Sequence, residues 1–180
     1  MTQEIQQTLR LRTSYEEASL ELGRIIGVAL LKNMTTSGVT VLLSGDLGTG
    51  KTTLVRGIGS ALGITRVRSP SFTLINEYHT ANFTVAHADL YRLEPGMAEN
   101  LGLDEYHDTP CVLLIEWPER WEELGRRDAL KIFIESSSEN ERLFEISSRG
   151  GIADLLLQNL REAIINGKFD SGVGLQLALD

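Results

Sequence analysis

The sequence predicts a three-layer α/β domain with a mostly parallel central sheet and antiparallel hairpins added to it. Three observations predict it. Short β-branched apolar runs, VTVLLS (39–44) and CVLLIEWPE (111–119), read as buried strands. Amphipathic stretches with helical spacing stand beside them. A glycine-dense loop, GDLGTGKTTL from Gly45 to Leu54, joins one of those strands to a helix.

The elements follow in order. QTLRLRT (7–13) alternates apolar and charged residues and reads as an edge strand. In SYEEASLELGRIIGVALLK, Ser14 and Glu17 form a capping box, and Ala18, Leu22, Ile25, Ile26, Ala29 and Leu30 recur on one helical face. NMTTSG breaks that helix before the buried strand VTVLLS. Behind the glycine loop, KTTLVRGIGSALG is helical and closes at Gly63, although Gly57 and Gly59 lie inside it. FTLINEY and FTVAHADLY flank the short turn HTAN as an antiparallel hairpin. Pro95 starts a short helix toward Leu103, and Pro118 ends the strand CVLLIE. ALKIFIES and ERLFEISS form a second hairpin about SSEN, and a last helix covers Ile152 to Ile165. Residues 1–166 make one domain. Residues 167–180 form a C-terminal tail for which disorder, an extra strand and a docking element all stay open.

Composition narrows the function classes. The chain has 180 residues, 42% of them apolar, enough for an ordinary core. No apolar run approaches the roughly 18 residues that span a bilayer, and the N-terminus lacks a signal-peptide pattern, so a cytoplasmic protein without a membrane partner is expected. The single Cys111 lies in an apolar run, which excludes an internal disulfide and suits a buried core residue. With a net charge of −8 and no cluster of Lys and Arg, direct tight binding of RNA or DNA is not expected.

Gly45 to Thr52 matches G-x-x-x-x-G-K-[ST] between a buried strand and a helix, the setting that pattern requires in a P-loop NTPase fold. Glycines let successive amides turn around phosphate oxygens, and the helix N-terminus adds partial positive charge. Asp46, Leu47, Gly48, Thr49, Gly50, Lys51, Thr52 and Thr53 are therefore the candidate nucleotide-binding residues. Lys51 brings a full charge to the β- and γ-phosphates, and the Thr52 hydroxyl suits Mg²⁺. A tight turn needing only glycine would explain neither Lys51 nor Thr52 at these offsets.

Two acids end apolar strands on the side where open α/β sheets hold ligands, Asp89 after FTVAHA and Glu116 after VLLI. Asp89 is the candidate partner of Thr52 for the metal, and Glu116 the candidate for orienting or deprotonating an attacking water. The plainer reading makes each a strand-end cap or an arginine partner, such as Arg92 for Asp89. His87 shares a sheet face with Asp89 and reads as a hydrogen-bonded scaffold residue, since with His79 and His107 it shows no metal-ligand spacing.

At these residues the chain resembles the TsaE family, also called YjeE, from about Thr8 through Arg149. GDLGTGKTTLVRG resembles the family's phosphate loop, RSPSFTLINEY its Ser-Pro-Thr/Ser-aromatic-Thr segment, HADLYRL its His-x-Asp-x-Tyr-Arg element, and IEWPER its Glu-Trp-Pro element. Ser71 stands where threonine is common. The resemblance implies a Mg²⁺-dependent ATPase, slow alone, that supports TsaB-like and TsaD-like partners in threonylcarbamoylation of adenosine 37 in tRNAs reading ANN codons. It implies contact with tRNA only through that complex, and leaves the oligomeric state open. It makes Lys51, Glu116 and Trp117 functional, with Thr73, beside Ser69 and Ser71, in a segment that senses the γ-phosphate. Packing against a loop is the plainer role for Trp117, and local capping for those hydroxyls.

Two other classes compete. A small-molecule P-loop kinase needs an acceptor pocket and usually a basic lid, and GRRDALK, which has the only Arg pair, reads better as a turn before a strand. A nucleotide-dependent assembly subunit, with hydrolysis incidental, would differ in its response to partners. GTP is disfavoured because no Asn-Lys-x-Asp segment is present.

Overall fold

The computed structural model describes residues 8–33, 38–70, 73–94, 96–121, 128–166 and 174–177. In chain order the strands are β1 (Thr8–Thr13), β2 (Val39–Ser44), β3 (Ile75–His79), β4 (Thr84–Asp89), β5 (Cys111–Glu116), β6 (Ala129–Ser136), β7 (Arg142–Arg149) and β8 (Leu175–Leu177). The α-helices are α1 (Glu16–Asn33), α2 (Lys51–Ala61) and α3 (Gly151–Ile165). All eight strands form one sheet in the order β3-β4-β5-β2-β6-β7-β1-β8. Its four central strands, β4, β5, β2 and β6, run parallel, and the antiparallel additions lie outside them.

Both hairpins expected from the sequence are present, β3 with β4 and β6 with β7. The first strand is not at an edge. It pairs with β7 on one side, and on the other with β8, which comes from the C-terminal tail. Ser71, Pro95 and residues 125–127 lie outside the described residues. The turn toward Leu103 contains a 3₁₀ helix at Ala98–Leu101, followed by another at Leu103–Asp108.

Side-chain alternation divides the core in two, as a sheet covered on both faces requires. Val41, Leu43, Val112 and Leu114 face the three α-helices and pack with Leu22, Ile26, Leu54, Ile58, Leu156 and Leu160. Leu42, Leu113 and Ile115 face the other way, into a smaller cluster with Leu90, Ala98, Leu103 and Trp121. Cys111 is buried in that second cluster, as its apolar context implied.

The internal glycine Gly57 has a packing reason. A Cβ on it would lie 2.2 Å from the Leu20 carbonyl oxygen of α1, and one on Gly23 would lie 2.4 Å from the Leu54 carbonyl of α2. The two backbones meet where neither residue has a side chain. This close crossing seats α2, and with it the glycine loop, against the sheet. Among the described residues no helix is long and apolar enough to cross a membrane.

Candidate nucleotide site

The loop leaves the carboxyl end of β2 and enters α2 at Lys51, with Gly50 as the residue before the helix. Gly45 (φ 133°) and Gly50 (φ 100°) occupy backbone conformations that side chains rarely adopt. At Gly45 space is also lacking, because a Cβ would lie 2.2 Å from the Ile134 carbonyl oxygen of β6. Thr49 closes the loop on itself, its hydroxyl donating to the Asp46 carbonyl at 2.9 Å. From β7, Arg142 Nε donates to the Thr49 carbonyl at 3.1 Å. Its guanidinium also donates to carbonyls of the β6–β7 turn, so it ties that hairpin to the phosphate loop. No local sequence pattern announces Arg142, because the contact joins segments 93 positions apart.

Lys51 is buried, and its ammonium donates to the carbonyls of Gly45 (2.6 Å) and Asp46 (2.9 Å). It also stands 4.1 Å from the centroid of the Trp117 ring, within cation–π range. Burial lowers its pKa from 10.5, while Glu116 first, then Glu119, Asp89 and Asp46, pull it back up. Two weak carbonyl acceptors and an aromatic face thus hold a desolvated cation, for which phosphate oxygens would be stronger partners.

Strand register brings the two acids together. Asp89 pairs with Glu116 across β4 and β5, and Glu116 pairs with Leu43 across β5 and β2, so both acids lie in one row beside the start of the loop. The Glu116 carboxylate is buried and accepts from the Thr52 hydroxyl, at 2.9 Å to Oε1 and 3.2 Å to Oε2. His87 Nε2 lies 2.9 Å from the same Oε1. Asp89 accepts the Tyr91 backbone amide on Oδ1 at 3.1 Å, the strand-end capping that is its plainer role. Glu116 is therefore the acid in contact with Thr52, and Asp89 sits one strand further out.

Two non-glycine residues among those described have positive φ, Leu74 (64°) and Trp117 (60°), and both line the cleft above the loop. Such conformations store strain of order 1–3 kcal/mol and cluster at functional sites. Trp117 is held in its own by donating its amide to the Leu43 carbonyl at 3.1 Å, and its ring meets that of Tyr91 at 4.8 Å between centroids. The ring faces the lysine, a more specific placement than loop packing.

The cleft is about 550 Å³ and is lined by Leu47, Gly48, Gly50, Lys51, Thr52 and Thr53 from the loop, with Arg56, Ser69, Asp89 and Glu116 around them. Thr53 also reaches Glu16, at 3.4 Å. Thr73 donates to Asn76 Oδ1 at 2.8 Å, while its neighbour Leu74 lines the cleft. A groove of similar size, about 560 Å³, lies between α1, α2 and α3, so the chemistry of the lining rather than volume selects the site. From Leu47 to Asn76 the chain has Lys51, Arg56, Arg66 and Arg68 but no Asp or Glu, an uneven distribution in a chain of net charge −8. In the cleft itself Lys51, Arg56 and Arg92 stand with the carboxylates of Asp89 and Glu116, a polarity suited to an anion carrying a cation. The Thr52 hydroxyl and the carboxylates of Asp89 and Glu116 are hard oxygen donors of the kind Mg²⁺ takes together with phosphate oxygens and water.

The family model described as "Threonylcarbamoyl adenosine biosynthesis protein TsaE" matches residues 13–144, which include the loop, both acids and Trp117. The chain belongs to the TsaE family. The tRNA threonylcarbamoyladenosine biosynthesis protein TsaE of Nostoc sp. is 44% identical over 121 residues, 64% of this chain and 72% of that protein. The Bacillus subtilis TsaE is 40% identical over 124 residues, 68% of this chain and 78% of its own. The crystal structure of B. subtilis YdiB superposes with a TM-score of 0.74 at 30% identity, covering 90% of this chain and 99% of that one. The mixed eight-stranded sheet accords with a P-loop NTPase fold. The TsaE match stops before α3 and β8, so the tail strand lies outside the matched region.

Proposed function

We propose that this protein is a Mg²⁺-dependent ATPase that works in the formation of threonylcarbamoyladenosine at position 37 of tRNAs reading ANN codons. TsaB-like and TsaD-like partners carry the transfer chemistry in the cytoplasm, and this chain supports their cycle. The observation that carries the reading is the meeting of Lys51, Thr52 and Glu116 at the mouth of the glycine loop.

The amides of Gly48 to Thr53 would bind the β-phosphate at the N-terminus of α2, and Lys51 would exchange loop carbonyls for β- and γ-oxygens. Thr52, with Asp89 or Glu116, would hold Mg²⁺, which supplies charge neutralisation on the phosphates. The Thr52 hydroxyl already donates its proton to Glu116, which leaves its lone pairs for a cation. Glu116 would orient the attacking water and take its proton, and Trp117 would shield the lysine from solvent.

The experiment is ATP turnover by the chain alone, with TsaB-like and TsaD-like proteins, and with those proteins plus tRNA. Turnover that needs Mg²⁺ and rises with the partners is expected. Its absence in all three mixtures contradicts the reading.

A further inference from the structure

Apart from the strand-end acids Asp89 and Glu116, the helix-facing positions of β2, β4 and β5 are Val39, Val41, Leu43, Val85, Val112, Leu114 and one polar residue, His87. On β4, Val85 joins the main core cluster, while His87, two residues on and on the same face, has no exposed surface at all. An imidazole there costs desolvation that valine would avoid, so its polar atoms call for an explanation. Among the described residues Nδ1 has no hydrogen-bond partner. Nε2 has one, Glu116 Oε1 at 2.9 Å. A carboxylate can only accept, which assigns the ring proton to Nε2 and leaves Nδ1 a bare acceptor, the less costly group to leave unpaired.

We infer that His87 is a positioning residue that fixes the rotamer of Glu116, so that one carboxylate oxygen is anchored and the other is presented to the cleft. Oε1 takes both short bonds, from Thr52 and from His87, whereas Oε2 keeps a single contact of 3.2 Å. The Thr52 hydroxyl touches both oxygens and belongs to the phosphate-binding machinery, so it does not by itself single out one of them. The imidazole comes from a strand paired on both edges, and among the described residues it has no other hydrogen-bond partner. Both histidine and acid stand on rigid neighbouring strands, two registers apart, with His87 opposite Leu114 and Asp89 opposite Glu116. That geometry makes the constraint independent of what the cleft holds.

The inference rests on the ATPase reading, and its test separates the two. Steady-state ATP turnover and nucleotide affinity are compared in wild type, His87→Gln, His87→Leu, Glu116→Gln and the His87→Leu/Glu116→Gln double variant. The ligand-free wild-type protein is also examined by ¹⁵N NMR of the His87 ring. A misplaced reacting group costs on the order of 10²-fold. His87→Leu should lower kcat by about 10- to 100-fold with nucleotide Kd within about threefold. His87→Gln, whose amide can still donate, should recover most of that loss. In the Glu116→Gln background His87→Leu should change kcat less than about twofold, since coupled residues are not additive. The NMR spectrum should show the proton on Nε2. Equal turnover in His87→Leu and wild type overturns the role, as does an equal loss in the Gln and Leu variants, an undiminished loss in the double variant, or a proton on Nδ1. If His87→Leu does not fold, His87→Gln and the ring spectrum still decide. A wild-type chain inert toward ATP, with the Nε2 tautomer present, sinks the ATPase reading instead.

Discussion

The Thr52 hydroxyl donates to Glu116 Oε1 at 2.9 Å, a bond that joins the first turn of α2 to the end of β5 across 64 positions of sequence. It puts the candidate base beside the candidate metal ligand. Glu116→Gln keeps the shape and loses the ability to accept a proton. The expected outcome is ATP affinity near that of wild type with single-turnover hydrolysis slower by about 10²- to 10⁴-fold. Quench-flow measurement with radiolabelled ATP checks it, and normal turnover would remove Glu116 from the chemistry.

Asp89 is one strand further out and caps the Tyr91 amide, so its role separates cleanly by metal titration. Asp89→Asn retains an oxygen for that amide but weakens the hold on Mg²⁺. The half-saturating Mg²⁺ concentration should rise about tenfold or more, the usual scale for altering a metal's supporting groups. An unchanged titration would leave Asp89 as a strand cap.

The α1–α2 crossing gives a stability prediction of definite sign. In an isolated helix Gly57→Ala would be favourable by roughly 0.5–1 kcal/mol. Here the new methyl would meet the Leu20 carbonyl, and prising apart the helices should cost about 1–3 kcal/mol. Urea unfolding of the variant should therefore show a lower midpoint with an unchanged slope. A raised midpoint would mean that the helices do not touch there.

Cys111 supplies a pH dependence. Burial is the largest cause that pushes its thiol up, from 9.0 to about 11, with Glu77 adding a little and the Ala86 backbone opposing. Between those values the folded chain holds a proton that the unfolded chain releases, so stability present below pH 9.0 is lost as pH rises toward 11. The shift corresponds to something on the order of 2–3 kcal/mol. Tyr106, whose hydroxyl donates to Glu77, is also held above its usual value, by burial first, and acts in the same direction. Thiol labelling at neutral pH should be slow in the folded protein and fast in urea, with a Cys111→Ala variant losing less stability above pH 9 than wild type. Fast labelling of the native protein would place the thiol at the surface.

What could be read from the sequence was whatever short-range spacing encodes. The phosphate loop is a contiguous pattern, the hairpins are neighbouring runs about polar turns, and each acid announces itself by following an apolar strand. The relation of Asp89 to Glu116 depends on the β4–β5 register, and that of Arg142 to Thr49 on a hairpin folding back over the loop. Neither leaves a local trace. The parity shared by His87 and Asp89 was a signal, but it named a face and not the partner. Gly57 looked like a flaw in a helix because its reason lies in α1. The place of β1 inside the sheet depended on β8, for which the tail offered only alternation.

The most direct measurement is calorimetric titration of Mg²⁺-ATP into wild type and Lys51→Ala. Losing one desolvated ammonium that faces phosphate should remove about 1.5–3 kcal/mol, a weakening of roughly 10- to 150-fold, with the loop otherwise intact. Saturable 1:1 binding by wild type and that loss in the variant are the expected results. Equal affinity in the two proteins, or no binding by wild type, would contradict a nucleotide held in the loop from Gly45 to Thr53.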